Sequence, residues 1–129
     1  TLDRSSAASD VYKRQELYLV GVSGLRDDHS MATLWILLKF AGKMKITLLS
    51  NHSKINCIKN KTIFDTSPGQ VVSLIPSSSD TKITTSGLQY TLQKEKLSTP
   101  TQGISNIAIN TSFSIEATGW VWVIINHEK

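Results

Sequence analysis

The segment Trp120 to Ile125 reads WVWVII, apolar at every position, and it constrains the fold more than any other stretch of the chain. Strands that face water on one side alternate apolar and polar residues, whereas a strand apolar on both faces has to be covered on both. The β-branched and aromatic residues of this run favour an extended backbone. The fold must therefore place a layer on each side of it, or a subunit contact must do so. Trp120, Trp122 and Ile124 project from one face, Val121, Val123 and Ile125 from the other.

From Met44 onward the rest of the pattern has period two, the spacing of half-buried strands. KITLL (45–49) is a short strand ended by Ser50-Asn51-His52-Ser53. KINCI (54–58) and TIF (62–64) flank Lys59-Asn60-Lys61, which reads as a tight hairpin connection. Ser67-Pro68-Gly69-Gln70 is a turn, because Pro presets φ and Gly tolerates positive φ. VVSLI (71–75) follows and stops at Pro76 to Asp80; KITT (82–85) and LQYTL (88–92) are two strands bent at Ser86-Gly87. QKEKLSTPTQG (93–103) is the longest loop and the expected place for mobility. Ile104 to Ile109 and Ser112 to Ile115 are further strands, and Ala117-Thr118-Gly119 separates the latter from the apolar run. Nothing after Met44 has a helical period. Seven or eight short strands with turn chemistry between them predict an all-β fold, a small antiparallel β-sandwich or barrel.

The segment before Met44 reads differently. Ser5 to Gln15, SSAASDVYKRQ, resembles a transposase-type sequencing adapter translated in frame, which implies that residues 1–15 are non-native. Phe40-Ala41-Gly42-Lys43 can be encoded by a purine-rich tract suited to a ribosome-binding site, so Met44 is the expected start and 16–43 is either upstream read-through or the end of a preceding segment. Met31 is the rival start. The stretch ATLWILLKFAG that follows it lacks preceding basic residues and is too short to span a bilayer. The expected domain is thus 44–129.

Composition excludes more than it selects. The formal net charge is +4, but there is no arginine after Met44, where eight lysines are scattered against five acids. Arginine supplies the bidentate forks that read bases and grip phosphates, so nucleic-acid binding is not expected. The single Cys57 lies in an alternating run and excludes a disulfide framework or a multi-cysteine zinc site. His29, His52 and His127 are too far apart for local metal spacing, so no metal or cofactor is expected. No Gly-rich phosphate cradle or nucleophile elbow is present. The acids Asp65, Asp80, Glu95, Glu116 and Glu128 form no local pair, and no catalytic residue is assigned: the chain reads as a non-enzyme. The sequons at Asn51, Asn60 and Asn110 are explained by a composition rich in Ser, Thr and Asn.

No motif identifies a protein family. Few charges, hydroxyl-rich strands and Gly/Pro turns resemble phage virion modules, such as fibre, tail or decoration domains. That resemblance implies a structural or binding module, located on a virion or extracellular surface, that contacts a protein partner or assembles as a homo-oligomer. The alternative is a carbohydrate-binding sandwich that stacks sugars on Trp120 and Trp122. The candidate binding residues are Trp120, Trp122, Ser98, Thr99, Thr101 and Gln102. Neither a cofactor nor a membrane is expected as a partner.

Overall fold

The computed structural model describes residues 16–20, 27–97 and 100–127. The chain is β-rich, as its periodicity predicts. Its strands are β1 (Glu16–Val20), β2 (Lys45–Leu49), β3 (Ser53–Asp65), β4 (Val71–Pro76), β5 (Lys82–Ser86), β6 (Glu95–Lys96), β7 (Asn106–Ile107) and β8 (Ser112–Asn126). One helix, α1 (Asp27–Phe40), joins β1 to β2, and a 3-10 turn spans Pro100–Gly103. All eight strands belong to one mixed sheet with the order β1-β2-β3-β8-β4-β7, and β5 pairs with both β8 and β6. Only β1 and β2 run parallel; every other ladder is antiparallel.

Two long strands replace the four short ones expected on either side of 59–61 and 117–119. β3 runs unbroken through Lys59-Asn60-Lys61, and β8 runs unbroken through Gly119. The two pair along their length, with a register shift between Ile58 and Asn60. Asn60 takes a left-handed φ of 66°, which asparagine tolerates better than most residues. A bulge and a hairpin both use such a residue, so local chemistry reads the break correctly but not its kind. Across the shift β3 advances two residues while β8 advances four, an even step on both strands, so each strand keeps its inward face.

That inward face is the core. Phe113, Ile115, Ala117, Val121, Val123 and Ile125 of β8 are buried with Val72 and Leu74 of β4, Ile83 of β5 and Phe64 of β3. Phe64 stacks on Phe113, with ring centroids 5.4 Å apart. Loop residues Leu88, Leu92, Leu97 and Ala108 close the same cluster. LQYTL is therefore not a strand: it makes one isolated bridge, Leu88 to Ala108, and turns its leucines inward. The long loop is anchored too, because Leu97 is buried and Glu95–Lys96 pairs with β5.

The opposite face of β8 carries Trp120, Trp122 and Ile124, each half-buried. α1 packs on this side: Leu37 is 1% exposed, and Trp122 Nε1 donates to Leu34 O at 2.9 Å. Acidic Asp27 and Asp28 in the first turn and Lys39 in the last complement the helix dipole. This answers the demand of the all-apolar run for a cover on each face. No helix among the described residues is long and apolar enough to cross a membrane.

Candidate functional site

The most tightly specified surface lies where the segment after β5 meets the segment before β8. Asn106, 5% exposed, sits at its centre. Its Oδ1 accepts from the N–H groups of Tyr90 and Ile107, each at 2.9 Å, and its Nδ2 donates to Tyr90 O at 2.8 Å. One carboxamide thus closes a chain segment sixteen residues away as a strand partner would. Around it Gln89 N donates to Ile107 O at 2.8 Å, and Ile109 N to Gly87 O at 3.0 Å. The Tyr90 ring held by this clamp is 62% exposed.

Left-handed backbone lies on either side of the clamp: Gly87 (φ 99°) adopts it at little cost, whereas Ser105 (φ 64°) is strained there. Ser105 is held there by a bond from its N–H to Ser73 Oγ at 3.0 Å. Gly103 is packed so closely that a Cβ would stand 2.1 Å from Leu74 O. Strained turns of this kind persist only when their surroundings over-determine them, and they concentrate at ligand sites. The result is a rigid shelf that presents one exposed aromatic ring, with Ile104 also exposed on the Gly103–Asn106 turn.

A second feature is a cleft of about 550 Å³ beside β3. Lys45, Lys54 and Lys59 line it with Glu16 and Asp65, and Lys45 stands 4.0 Å from Glu16. Asn56 forms part of its lining and donates through Nδ2 to Thr47 Oγ1 at 2.7 Å. Among the described residues, no group of three or more His, Cys, Asp or Glu could hold a metal.

The residues singled out from sequence do not meet at one place. Trp122 lies under α1, while Trp120 borders the cleft beside Gly42 and below Lys59 Nζ, 5.8 Å from its ring centroid. Ser98 and Thr99 lie outside the described residues, as does the Thr101 side chain; Gln102 is exposed on the 3-10 turn. Tyr90, Gly103, Ser105 and Asn106 were missed, because the clamp that joins them is invisible to periodicity. The available signal was Gly87 and Gly103, each opening a short segment of mixed polarity.

Cys57 is half-buried on β3, and burial pushes its thiol from 9.0 up to about 12. We expect native protein to react with a thiol reagent near neutral pH at least about tenfold more slowly than unfolded protein, because burial leaves it far less thiolate and the higher nucleophilicity of that thiolate offsets the loss only in part. Comparable native and denatured rates would contradict this. The neutral thiol's contribution to stability is fully present below about pH 9 and is lost as pH rises through about 12.

Comparison with known proteins gives this architecture a context. The family model for the vitamin B1 binding domain of thiamin pyrophosphokinase matches residues 50–120. No curated protein matches the chain. Among solved structures, thiamin pyrophosphokinase from Candida albicans superposes with a TM-score of 0.76 at 16% identity, over 89% of this chain and 45% of that one. The Bacillus subtilis enzyme gives 0.75 at 20% identity, over 99% and 62%, and a family protein from Enterococcus faecalis gives 0.74 at 23%, over 87% and 55%. These likenesses show a shared fold, and the chain spans about half the length of the structures it matches.

The family match corrects four expectations. A family is recognisable, although no local motif announced one. The phage virion module is overturned, and with it the carbohydrate-binding alternative. The non-enzyme reading is overturned as well, since the family is one of kinases. Hydroxyl-rich strands misled because such surfaces solve the solubility of any sheet and carry no information about function. The chain belongs to the thiamin pyrophosphokinase family, through its vitamin B1 binding domain.

Proposed function

We propose that this chain is the thiamin-holding part of a thiamin pyrophosphokinase, and that Tyr90 with the Gly103–Asn106 turn is the surface on which thiamin rests. The observation that carries the reading is the Asn106 clamp, which fixes the Tyr90 backbone at both its N–H and C=O while leaving the ring exposed. Thiamin joins an aminopyrimidine to a cationic thiazolium, and an aromatic face attracts both, by stacking and by cation–π interaction. The β3 cleft is the poorer host for a cation, with three lysines against two carboxylates. Pyrophosphoryl transfer is proposed for the whole protein, of which the chain spans about half in the structures it matches.

Titrating thiamin into the chain while following amide resonances tests this. Shifts are expected to centre on Tyr90 and on Gly103 to Ile107. Tyr90→Ala is expected to weaken binding about 2- to 30-fold, as loss of an aromatic–cation contact of roughly 0.5–2 kcal/mol requires, while Tyr90→Phe retains most of it. Shifts centred on Asn56, Lys59 and Trp120 instead would move the site to the cleft and overturn the assignment.

A further inference from the structure

β2 and β3 pair only from Thr47↔Asn56 to Leu49↔Lys54, and the cleft opens where that ladder ends. Thr47 and Asn56 stand opposite each other at this point; both line the cleft, and each is 4% exposed. Asn56 Nδ2 donates to Ile46 O at 3.0 Å and to Thr47 Oγ1 at 2.7 Å. A carbonyl oxygen only accepts, so Ile46 O fixes which end of the carboxamide is nitrogen. The Thr47 hydroxyl, accepting from Nδ2, keeps its own proton for another group. Asn56 Oδ1 accepts from no described residue, yet it is not sealed from solvent. A buried dyad thus offers the cleft one unused acceptor beside one unused donor. Polar groups buried to this degree are normally paired, so the dyad calls for a ligand carrying the converse pair.

Ammonium groups stand around it. Lys54 lies two residues from Asn56 on β3 and shares its face. Lys59 Nζ is held over the Trp120 ring, 5.8 Å from its centroid. Among the described residues neither lysine pairs with a carboxylate, whereas Lys45 stands 4.0 Å from Glu16. Asp65, the last residue of β3, lines the far end of the cleft.

We propose that this cleft binds a nucleoside phosphate, its base edge on Asn56 and Thr47 and its phosphates on Lys54 and Lys59. A base edge sets an N–H donor beside an acceptor, which Oδ1 and the threonine hydroxyl complement. Phosphate oxygens take charged donors, and the two free ammonium groups supply them. A volume of about 550 Å³ suits a ligand of that size. β8 and β4 stand between β3 and β7, so a ligand here is separated by two strands from the Asn106 clamp. The cleft is therefore an effector site, distinct from the surface that holds thiamin. Only that separation rests on the thiamin reading.

Calorimetric titration of the full chain with ADP, in the absence of thiamin, is the test, with amide resonances followed alongside. ADP is expected to bind and to shift Thr47, Asn56 and Lys59 while Tyr90 and Gly103 to Ile107 stay in place. The diphosphate of purine riboside lacks the amino donor and leaves Oδ1 unpaired, so it should bind about tenfold more weakly to the unmodified chain. Lys54→Gln and Lys59→Gln are each expected to weaken ADP by about 2- to 5-fold. No binding at millimolar ADP, shifts centred on Tyr90, equal affinity for the two nucleotides, or lysine variants with undiminished affinity would each overturn the proposal. So would thiamin diphosphate shifting the cleft amides where ADP does not. Thiamin added afterwards should shift Tyr90 without releasing ADP. Release overturns the effector site, whereas a missing Tyr90 shift overturns the thiamin assignment alone.

Discussion

Gly103→Ala is expected to lower the stability of the chain by about 3 kcal/mol, at the upper end of what overpacking usually costs. The added Cβ would lie 2.1 Å from Leu74 O and 2.8 Å from Leu97 Cδ1. The leucine methyl can rotate away, but the carbonyl belongs to β4 and cannot shift without disturbing its ladder with β8. A loss of that size lowers the midpoint of thermal unfolding by roughly 10 °C in a chain of this length. The same displacement moves Ser105 and Asn106, so thiamin-induced shifts at Tyr90 should weaken with it. Circular dichroism of the variant decides the matter: a midpoint unchanged within a degree would mean that the Gly103 turn and β4 part more readily than their packing implies.

Removing Glu16–Lys43, so that the chain starts at Met44, is expected to cost more than any single substitution. It deletes β1, whose five residues pair with β2, and α1, whose Leu37 is fully enclosed. Burying one leucine contributes about 1.5–3 kcal/mol, and the Trp122 bond to Leu34 O about 1 kcal/mol more. Ile46, buried on the same side of the sheet, would also be uncovered. The total approaches the roughly 5–15 kcal/mol that separates a folded domain from its unfolded chain. The truncated chain should therefore show red-shifted tryptophan emission and lose its near-ultraviolet dichroism. If it unfolds cooperatively at the midpoint of the longer chain, then 16–43 contributes nothing to the fold and Met44 is a sufficient beginning. The match to the Bacillus subtilis structure, over 99% of this chain, favours the first outcome.

The two experiments mark where sequence reading succeeds and where it stops. Alternation in the final third identifies the inward residues Phe113, Ile115, Val121, Val123 and Ile125, because burial on a sheet is set by parity and parity is visible in sequence. The requirement that WVWVII be covered on both faces is equally visible. Which element covers it is not: α1 is apolar on several sides, so its amphipathic stripe is weak, and only the acids at its start and Lys39 at its end mark it as a helix. The candidate site was the least legible part. Asn106 reads as one polar residue among many until the fold sets its carboxamide against the Tyr90 backbone. Gly103 likewise looks like loop composition until Leu74 O is seen beside it. Contacts between distant segments create the shelf, and periodicity reports only on near neighbours.

The β3–β8 ladder also governs how quickly such a chain finds its fold. It joins Ser53 to Asn126 and Asp65 to Ser112, so the central pair of the sheet closes over everything between them. Loop closure of that span is unfavourable before any contact rewards it, which places folding on the slow, millisecond-to-second side of the range for small domains. Until β8 docks, β3, β4 and β5 lack the strand they share, and their apolar faces and edges stand open to other chains. Crowded expression should then favour aggregates nucleated by the pieces that await β8, and lower temperature or slower synthesis should favour soluble protein.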